Sequence, residues 1–179
     1  MAGMEVIARL QDRKLGASTM RDHVGMQLHR GDGSEIAVEV AGEHDAAPVL
    51  FCHGLADSRL SAYWFAQAAA ELGLRVIAPD RPATGGTDPR RLSRLADWAA
   101  DATLVLDALR AESAALRGIS AGGPFAAACA ASIPGRVTSL TLVSPLGAPG
   151  WPARGMAPGQ RLCLTLWTAP RRRPCWGQP

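Results

Sequence analysis

Apolar and polar residues alternate over positions 24–30 and again over 35–41, with Gly31-Asp32-Gly33 between the two runs. A period of two predicts strands, and the glycine-bearing turn predicts an antiparallel hairpin with one open face. Residues 49–52 are short and wholly apolar, the pattern of a strand buried on both sides. Residues 61–72 carry a helical pattern, and Gly73 suits a helix C-cap. A second buried strand is expected over 75–78, and the Gly-, Pro- and Asp-rich stretch from Pro79 to Pro89 reads as a loop. Leu92, Leu95, Ala96, Ala99, Thr103, Leu106 and Leu109 then fall on one face at helical spacing. A weaker strand over 114–118 runs straight into a helix over 120–132, and another apolar strand follows over 138–143.

Strands alternating with helices predict βαβ units, hence an α/β fold with a mostly parallel sheet and helices on both faces. The alternation stops near Pro149. The division expected is an N-terminal extension over 1–22, a core over 23–150 and an irregular tail over 151–179. That tail is rich in Pro, Gly, Trp and Arg, and only 159–168 looks helical.

Composition narrows the class. The chain has 179 residues, 47% hydrophobic and 20% charged, with a net charge of +3. That charge is too small to argue for nucleic acid, and the run Arg171-Arg172-Arg173 reads first as a solvated tail. Cys52, Cys129, Cys163 and Cys175 form no C-x-x-C pair and have no His at metal-ligand spacing. Cys52 falls in a strand run and Cys129 in an Ala-rich helix run, so buried, reduced thiols and a cytoplasmic location are expected. Residues 1–14 lack an uninterrupted apolar region, so no signal peptide is read there. No stretch approaches the roughly 18 apolar residues of a membrane helix.

The segment with most chemistry is Gly118-Ile119-Ser120-Ala121-Gly122, a G-x-S-x-G pattern between an expected strand and an expected helix. A sharp strand-to-helix turn holds a serine in a strained conformation, and glycines on either side let neighbouring backbone approach. The helix start offers free N–H groups to a developing oxyanion. Ser120 is therefore the candidate nucleophile, and the plainer alternative is a capping Ser in a glycine-rich turn. Phe51-Cys52-His53-Gly54-Leu55 ends the first buried strand; His53, taken alone, reads as a structural loop histidine. Asp80, Asp88, Asp97 and Asp101 are not spaced as a Ca²⁺ loop and are expected to form turns and helix starts. Trp98 is expected to pack its helix against the sheet. Gly85-Gly86 lacks the Lys-Ser/Thr of a phosphate loop, so no nucleotide, metal or other cofactor is expected.

Together these segments resemble the α/β-hydrolase family, in the branch reading "HG…SR", "APDRPGYG.SDP", "DW..D", "G.SAGG" and "PGRV..L.LVS". The matching residues are His53-Gly54 with Ser58-Arg59, Ala78 to Pro89, Asp97-Trp98 with Asp101, Gly118 to Gly123, and Pro134 to Val137 with Leu142-Val143-Ser144. The order is collinear over about 24–150. Ala83-Thr84 stands where that pattern has Gly-Tyr, and Ile119 where His is common. The resemblance implies a small ester-like substrate, Ser120 as nucleophile, and the backbone N–H groups of Leu55 and Ala121 as oxyanion donors. His53, Gly54, Gly118 and Gly122 would be supporting residues.

The same resemblance implies an acid and then a His after the serine. Beyond Ser120 the sequence has no Asp, Glu or His: the histidines are His23, His29, His44 and His53, and the final acid is Glu112. The family's last strands are therefore expected to be missing, with 156–168 resembling the start of a lid helix and a C-terminally truncated product as the expectation. Three readings follow. The chain is an esterase-like serine hydrolase inactive alone, a non-catalytic fragment or binding protein on the same fold, or a cofactor-free haloperoxidase-like enzyme needing the same triad. An exposed edge after 138–143 would favour self-association.

Overall fold

The computed structural model describes residues 9–11, 23–147 and 158–159. The expectations for Cys163, Cys175, the arginine run and a lid helix lie outside the described residues. The chain divides into two compact units, Met1–Leu146 and Gly147–Pro179, and the architecture below is that of the first.

Seven strands form one sheet in the order β1-β2-β3-β5-β4-β6-β7. The hairpin pairs β2 (His23–His29) antiparallel with β3 (Glu35–Ala41), opposing His29 to Glu35 across the turn. β1 (Arg9–Gln11) adds a short antiparallel strand on β2, within what the sequence suggested was an extension. The other four strands are mutually parallel: β4 (Ala47–Cys52), β5 (Leu74–Pro79), β6 (Ala114–Ile119) and β7 (Val137–Val143). β3 joins this parallel block by pairing antiparallel with β5.

Successive side chains of a strand face opposite sides of the sheet, and two cores result. On one side Phe51, Val76 and Ala78 pack with Ala62, Ala66 and Ala69 from α1 (Tyr63–Glu71) and the 3₁₀ turn before it. On the other, Leu50, Cys52, Ile77 and Leu116 meet α2 (Ala99–Ala108) and α3 (Gly122–Ser132) through Ala102, Val105, Leu106, Ala126 and Cys129. Helices thus cover both faces. Cys52 and Cys129 are free and buried; burial raises both thiol pKa values, that of Cys129 to about 12, so both stay protonated.

The hairpin does not keep an open face. Residues 36–41 of β3 are all buried, including Glu39. Its carboxylate accepts a hydrogen bond from the Tyr63 hydroxyl at 2.6 Å and faces Arg59 at 3.8 Å, which satisfies the charge beneath α1. The second helix also starts later than its apolar spacing suggests. The Asp97 carboxylate accepts from the N–H groups of Ser93 and Arg94, closing a 3₁₀ turn over Leu95–Trp98 before α2 begins. The buried face then runs through Trp98, Ala99, Asp101, Ala102, Val105 and Leu106, while Thr103 and Leu109 are only partly covered. Trp98 is fully buried, edge-on to Phe125 at 5.7 Å.

The loop after β5 carries one strained residue. Ala83 adopts φ of +60°, where a Cβ crowds the backbone and glycine is at ease. Ala83→Gly is expected to stabilise the fold by about 1 kcal/mol, read as a raised urea midpoint at unchanged slope. A lowered midpoint would show that Ala83 packs favourably enough to outweigh its conformation.

At the other margin, β7 pairs only with β6 among the described residues. From Thr138 to Val143 every residue is exposed, Leu140 and Leu142 by about two fifths.

Candidate functional site

The topology itself picks out one end of the sheet. β4 lies between β5 and β6; the crossover from β4 to β5 runs through α1 on one face, and that from β5 to β6 through α2 on the other. Where connections diverge like this, loops part beyond the carboxyl ends of the strands and leave a crevice. The register aligns Cys52 with Gly118 and Leu50 with Ile77. The residues following each strand therefore converge: Asp80 and Arg81 after β5, His53 to Leu55 after β4, Ser120 after β6.

Ser120 occupies the turn between β6 and α3 with φ of +51°, a left-handed conformation costly for any residue with a Cβ. Three backbone bonds hold it there. Its N–H donates to the carbonyl of Val143 at 3.0 Å, and its carbonyl accepts from the N–H groups of Gly123 and Leu146, both at 3.0 Å. The turn is tight enough to exclude side chains beside it. A Cβ on Gly122 would run into the Cys52 carbonyl, and one on Gly118 would come within 2.7 Å of the Gly123 Cα. The G-x-S-x-G spacing is thus a packing requirement of this turn.

Gly54 faces the serine: a Cβ built on it would sit 3.9 Å from the Ser120 Cβ and 3.7 Å from the Asp57 carboxylate. Leu55 follows, with its side chain half exposed, and Ala121 is buried at the start of α3. The expected oxyanion segment and candidate nucleophile are therefore neighbours. Asp57 was not singled out by the sequence, because an acid two residues beyond a strand-end His-Gly-Leu reads as a turn residue. Its carboxylate accepts from the Ser58 N–H at 2.8 Å.

His53 is fully buried, and both ring nitrogens are occupied. Nδ1 lies 3.0 Å from the Gly54 carbonyl oxygen and Nε2 lies 3.2 Å from the Arg81 backbone nitrogen. A carbonyl can only accept and an N–H can only donate, so the ring carries its proton on Nδ1 and is neutral. Asp80 comes within 3.9 Å of Nε2, which would favour a charged ring. Burial and the Arg81 charge act the other way and lower the pKa. The hydrogen-bond pattern agrees with the neutral form. His29 lies 3.8 Å from Glu35 and His44 lies 2.9 Å from Asp45, both at places remote from this crevice in the strand order. The side chain of His23 is outside the described residues.

This buried neutral imidazole links stability to pH. The unfolded chain takes up a proton near the ordinary imidazole value, about 6.5, whereas the folded chain resists until lower pH. Below that value the unfolded state binds more protons, so stability falls as pH falls. The expected loss approaches about 1.4 kcal/mol per pH unit from this one group within the window. Urea denaturation between pH 7.5 and 5, alongside His53→Asn, reads the difference. Equal slopes in the two proteins would mean that His53 contributes nothing to the pH dependence.

Around His53 lies a network the sequence did not reveal. The Arg81 guanidinium donates from Nη1 to the His53 carbonyl and from Nη2 to the Gly54 carbonyl, both at 2.7 Å, with its carbon 4.9 Å from the Phe125 ring centre. Asp80 accepts from the Arg59 N–H at 2.7 Å and the Gly86 N–H at 3.0 Å, tying the loop after β4 to the loop after β5. Only the position of Asp80-Arg81 at a strand end hints at these bonds.

An open α/β sheet with a strained serine at its switch point defines an α/β hydrolase fold, and comparison with known proteins agrees. The α/β hydrolase fold family matches residues 47–159, and the chain belongs to that family. It is 34% identical over 113 residues to an uncharacterized hydrolase, YcgS, of Bacillus subtilis (strain 168), a match covering 63% of this chain and 39% of that protein. Among solved structures, an epoxide hydrolase from an endophytic Streptomyces superposes with a TM-score of 0.62 at 28% identity, over 68% of this chain and 37% of that one. An esterase from Exiguobacterium antarcticum gives 0.59 at 25% identity, over 66% and 44%. The chain spans about two fifths of the length of the curated relatives it matches.

Proposed function

We propose that this chain carries the nucleophile half of a serine-hydrolase site for small ester-like substrates, and that it does not turn them over alone. Ser120 is the nucleophile, and the N–H groups of Leu55 and Ala121 receive the oxyanion. His53, Gly54, Gly118 and Gly122 shape the turn and the loop. The observation that carries this reading is Ser120 at φ +51° between β6 and α3, with Gly54 against it. Relatives named as an esterase and an epoxide hydrolase support hydrolysis as the general chemistry. The reading of a non-catalytic protein on this fold is favoured by one fact: no acid or His follows Ser120 in the sequence. A haloperoxidase-like activity needs the same absent groups and has no observation of its own.

The test is covalent labelling with a fluorophosphonate at alkaline pH, where hydroxide can take the proton a base would otherwise remove. The Ser120 Oγ–P bond forms, the P–F bond breaks, fluoride leaves and the serine proton passes to hydroxide. Mass spectrometry is expected to find the adduct on Ser120 and none on the Ser120→Ala protein. Labels spread over other serines would contradict the assignment.

We also propose that β7 pairs with a second copy of itself. The strand is seven residues long, carries no charge to oppose pairing, and has Leu140 and Leu142 exposed on one side. Antiparallel pairing about a two-fold axis would bring identical edges together. Sedimentation velocity is expected to show concentration-dependent association that Thr141→Lys weakens. A monomer at all concentrations would refute it.

A further inference from the structure

We infer that Arg81 is a positioning residue that sets the direction of the Leu55 N–H. The inference rests on the oxyanion role proposed for that group. A guanidinium presents its N–H donors in a rigid fork. In a buried setting such a fork is ordinarily matched to a carboxylate, as Arg30 is matched to Asp101. Arg81 instead spends its two Nη atoms on two consecutive backbone carbonyls, those of His53 and Gly54, each at 2.7 Å. The Phe125 ring packs against its carbon, 4.9 Å away, and the Arg81 backbone N–H is taken up by the His53 ring.

Peptide geometry turns this into a statement about the site. In a trans peptide the carbonyl and the following N–H point in opposite directions, and the unit is rigid. Holding the Gly54 carbonyl toward Arg81 therefore aims the Leu55 N–H away from Arg81. The His53 Nδ1–H holds the same carbonyl from a second side at 3.0 Å. Gly54 itself abuts Ser120, with a would-be Cβ at 3.9 Å from the serine Cβ. A glycine here leaves the loop free to turn its peptide plane over, because no Cβ resists rotation. An oxyanion donor has to be preorganised to be useful, and the Arg81 fork supplies the restraint that glycine lacks. Asp57 and Asp80 lie near enough to act on the guanidinium charge.

The experiment is a ¹H–¹⁵N titration of the full chain with butylphosphonate, a tetrahedral anion standing in for the oxyanion. In the unsubstituted protein the amide signals of Leu55 and Ala121 are expected to move together. Arg81→Lys keeps the charge but cannot span both carbonyls. There the Ala121 signal is expected to move and the Leu55 signal to stay, with affinity at least about tenfold weaker. A folded Arg81→Lys protein in which Leu55 responds with unchanged affinity would overturn the positioning role and leave the oxyanion reading standing. Neither amide moving in the unsubstituted protein would overturn the oxyanion reading and this inference with it. Should the variant not fold, the unsubstituted protein still decides. Resolved Arg81 Nη protons, coupled across hydrogen bonds to the His53 and Gly54 carbonyl carbons, are expected; a single rotationally averaged signal would contradict the clamp.

Discussion

The purified chain is expected to hydrolyse short-chain nitrophenyl esters at a rate close to that of its own Ser120→Ala variant. A serine hydroxyl is a weak nucleophile until a neighbouring base takes its proton. Near Ser120 the one histidine among the described side chains is His53, and its ring is committed on both nitrogens and buried. It cannot turn toward the serine without abandoning the Gly54 carbonyl and the Arg81 N–H. In a well-studied serine protease, loss of the base costs about 10⁶ in kcat. Oxyanion donors and substrate binding alone leave roughly 10³–10⁴ over water. That residue of activity sits near background in an ordinary ester assay. Robust turnover that depends on Ser120 would overturn the expectation and direct attention to Asp57, whose carboxylate flanks the same point beside Gly54 as the serine.

Asp101→Ala is expected to destabilise the fold by about 3–5 kcal/mol, the cost of leaving a buried charge without its partner. Asp101 receives a forked pair from Arg30, Nε at 2.9 Å and Nη2 at 3.0 Å, and a further bond from Arg90. The Arg30 and Asp101 side chains are 7% and 3% exposed, so water cannot replace the lost carboxylate without the hairpin shifting. The remaining Arg30 contacts, to the Ser34 hydroxyl and the Glu35 carbonyl, leave the charge uncompensated. For a domain with total stability of order 5–15 kcal/mol this is a large fraction. The paired replacement Arg30→Met with Asp101→Leu should recover most of the loss, since desolvation and attraction nearly cancel in a buried pair. A urea midpoint for Asp101→Ala within experimental error of the unsubstituted protein would show that solvent reaches Arg30 after all.

These buried charges mark where the sequence was and was not readable. The turn at Ser120 was readable because its geometry excludes side chains at Gly118 and Gly122, and that exclusion is written locally as G-x-S-x-G. The end of β4 was readable for a different reason, an apolar run halted by His53-Gly54. Asp101, by contrast, was read only as a helix-start charge, which its place in the first turn of α2 fits, and Glu39 only as one position of an alternating strand; burial of either was not legible. Their partners Arg30 and Tyr63 lie 71 and 24 residues away, and no local pattern encodes those pairings. The start of α2 was misplaced because Asp97 closes a separate 3₁₀ turn over Leu95–Trp98 ahead of the helix, which the apolar stripe does not register. β1 escaped notice since three residues give too short a run for alternation to register. Arg81 was visible in the sequence by its place at a strand end and within the family-like motif, and its use of two carbonyls is a property of the folded loops alone.

Ser120 is proposed as a nucleophile with no acid or His after it in the sequence to serve as its base. The most direct measurement is the pH dependence of Ser120 labelling by a fluorophosphonate in the purified chain. Without a base, the rate should rise in proportion to hydroxide concentration across the accessible range, and His53→Asn, which loosens the loop at Gly54, should change the size of the rate but not this proportionality. A rate that climbs through an apparent pKa near that of imidazole, about 6.5, and then levels off would reveal a working base and contradict the account.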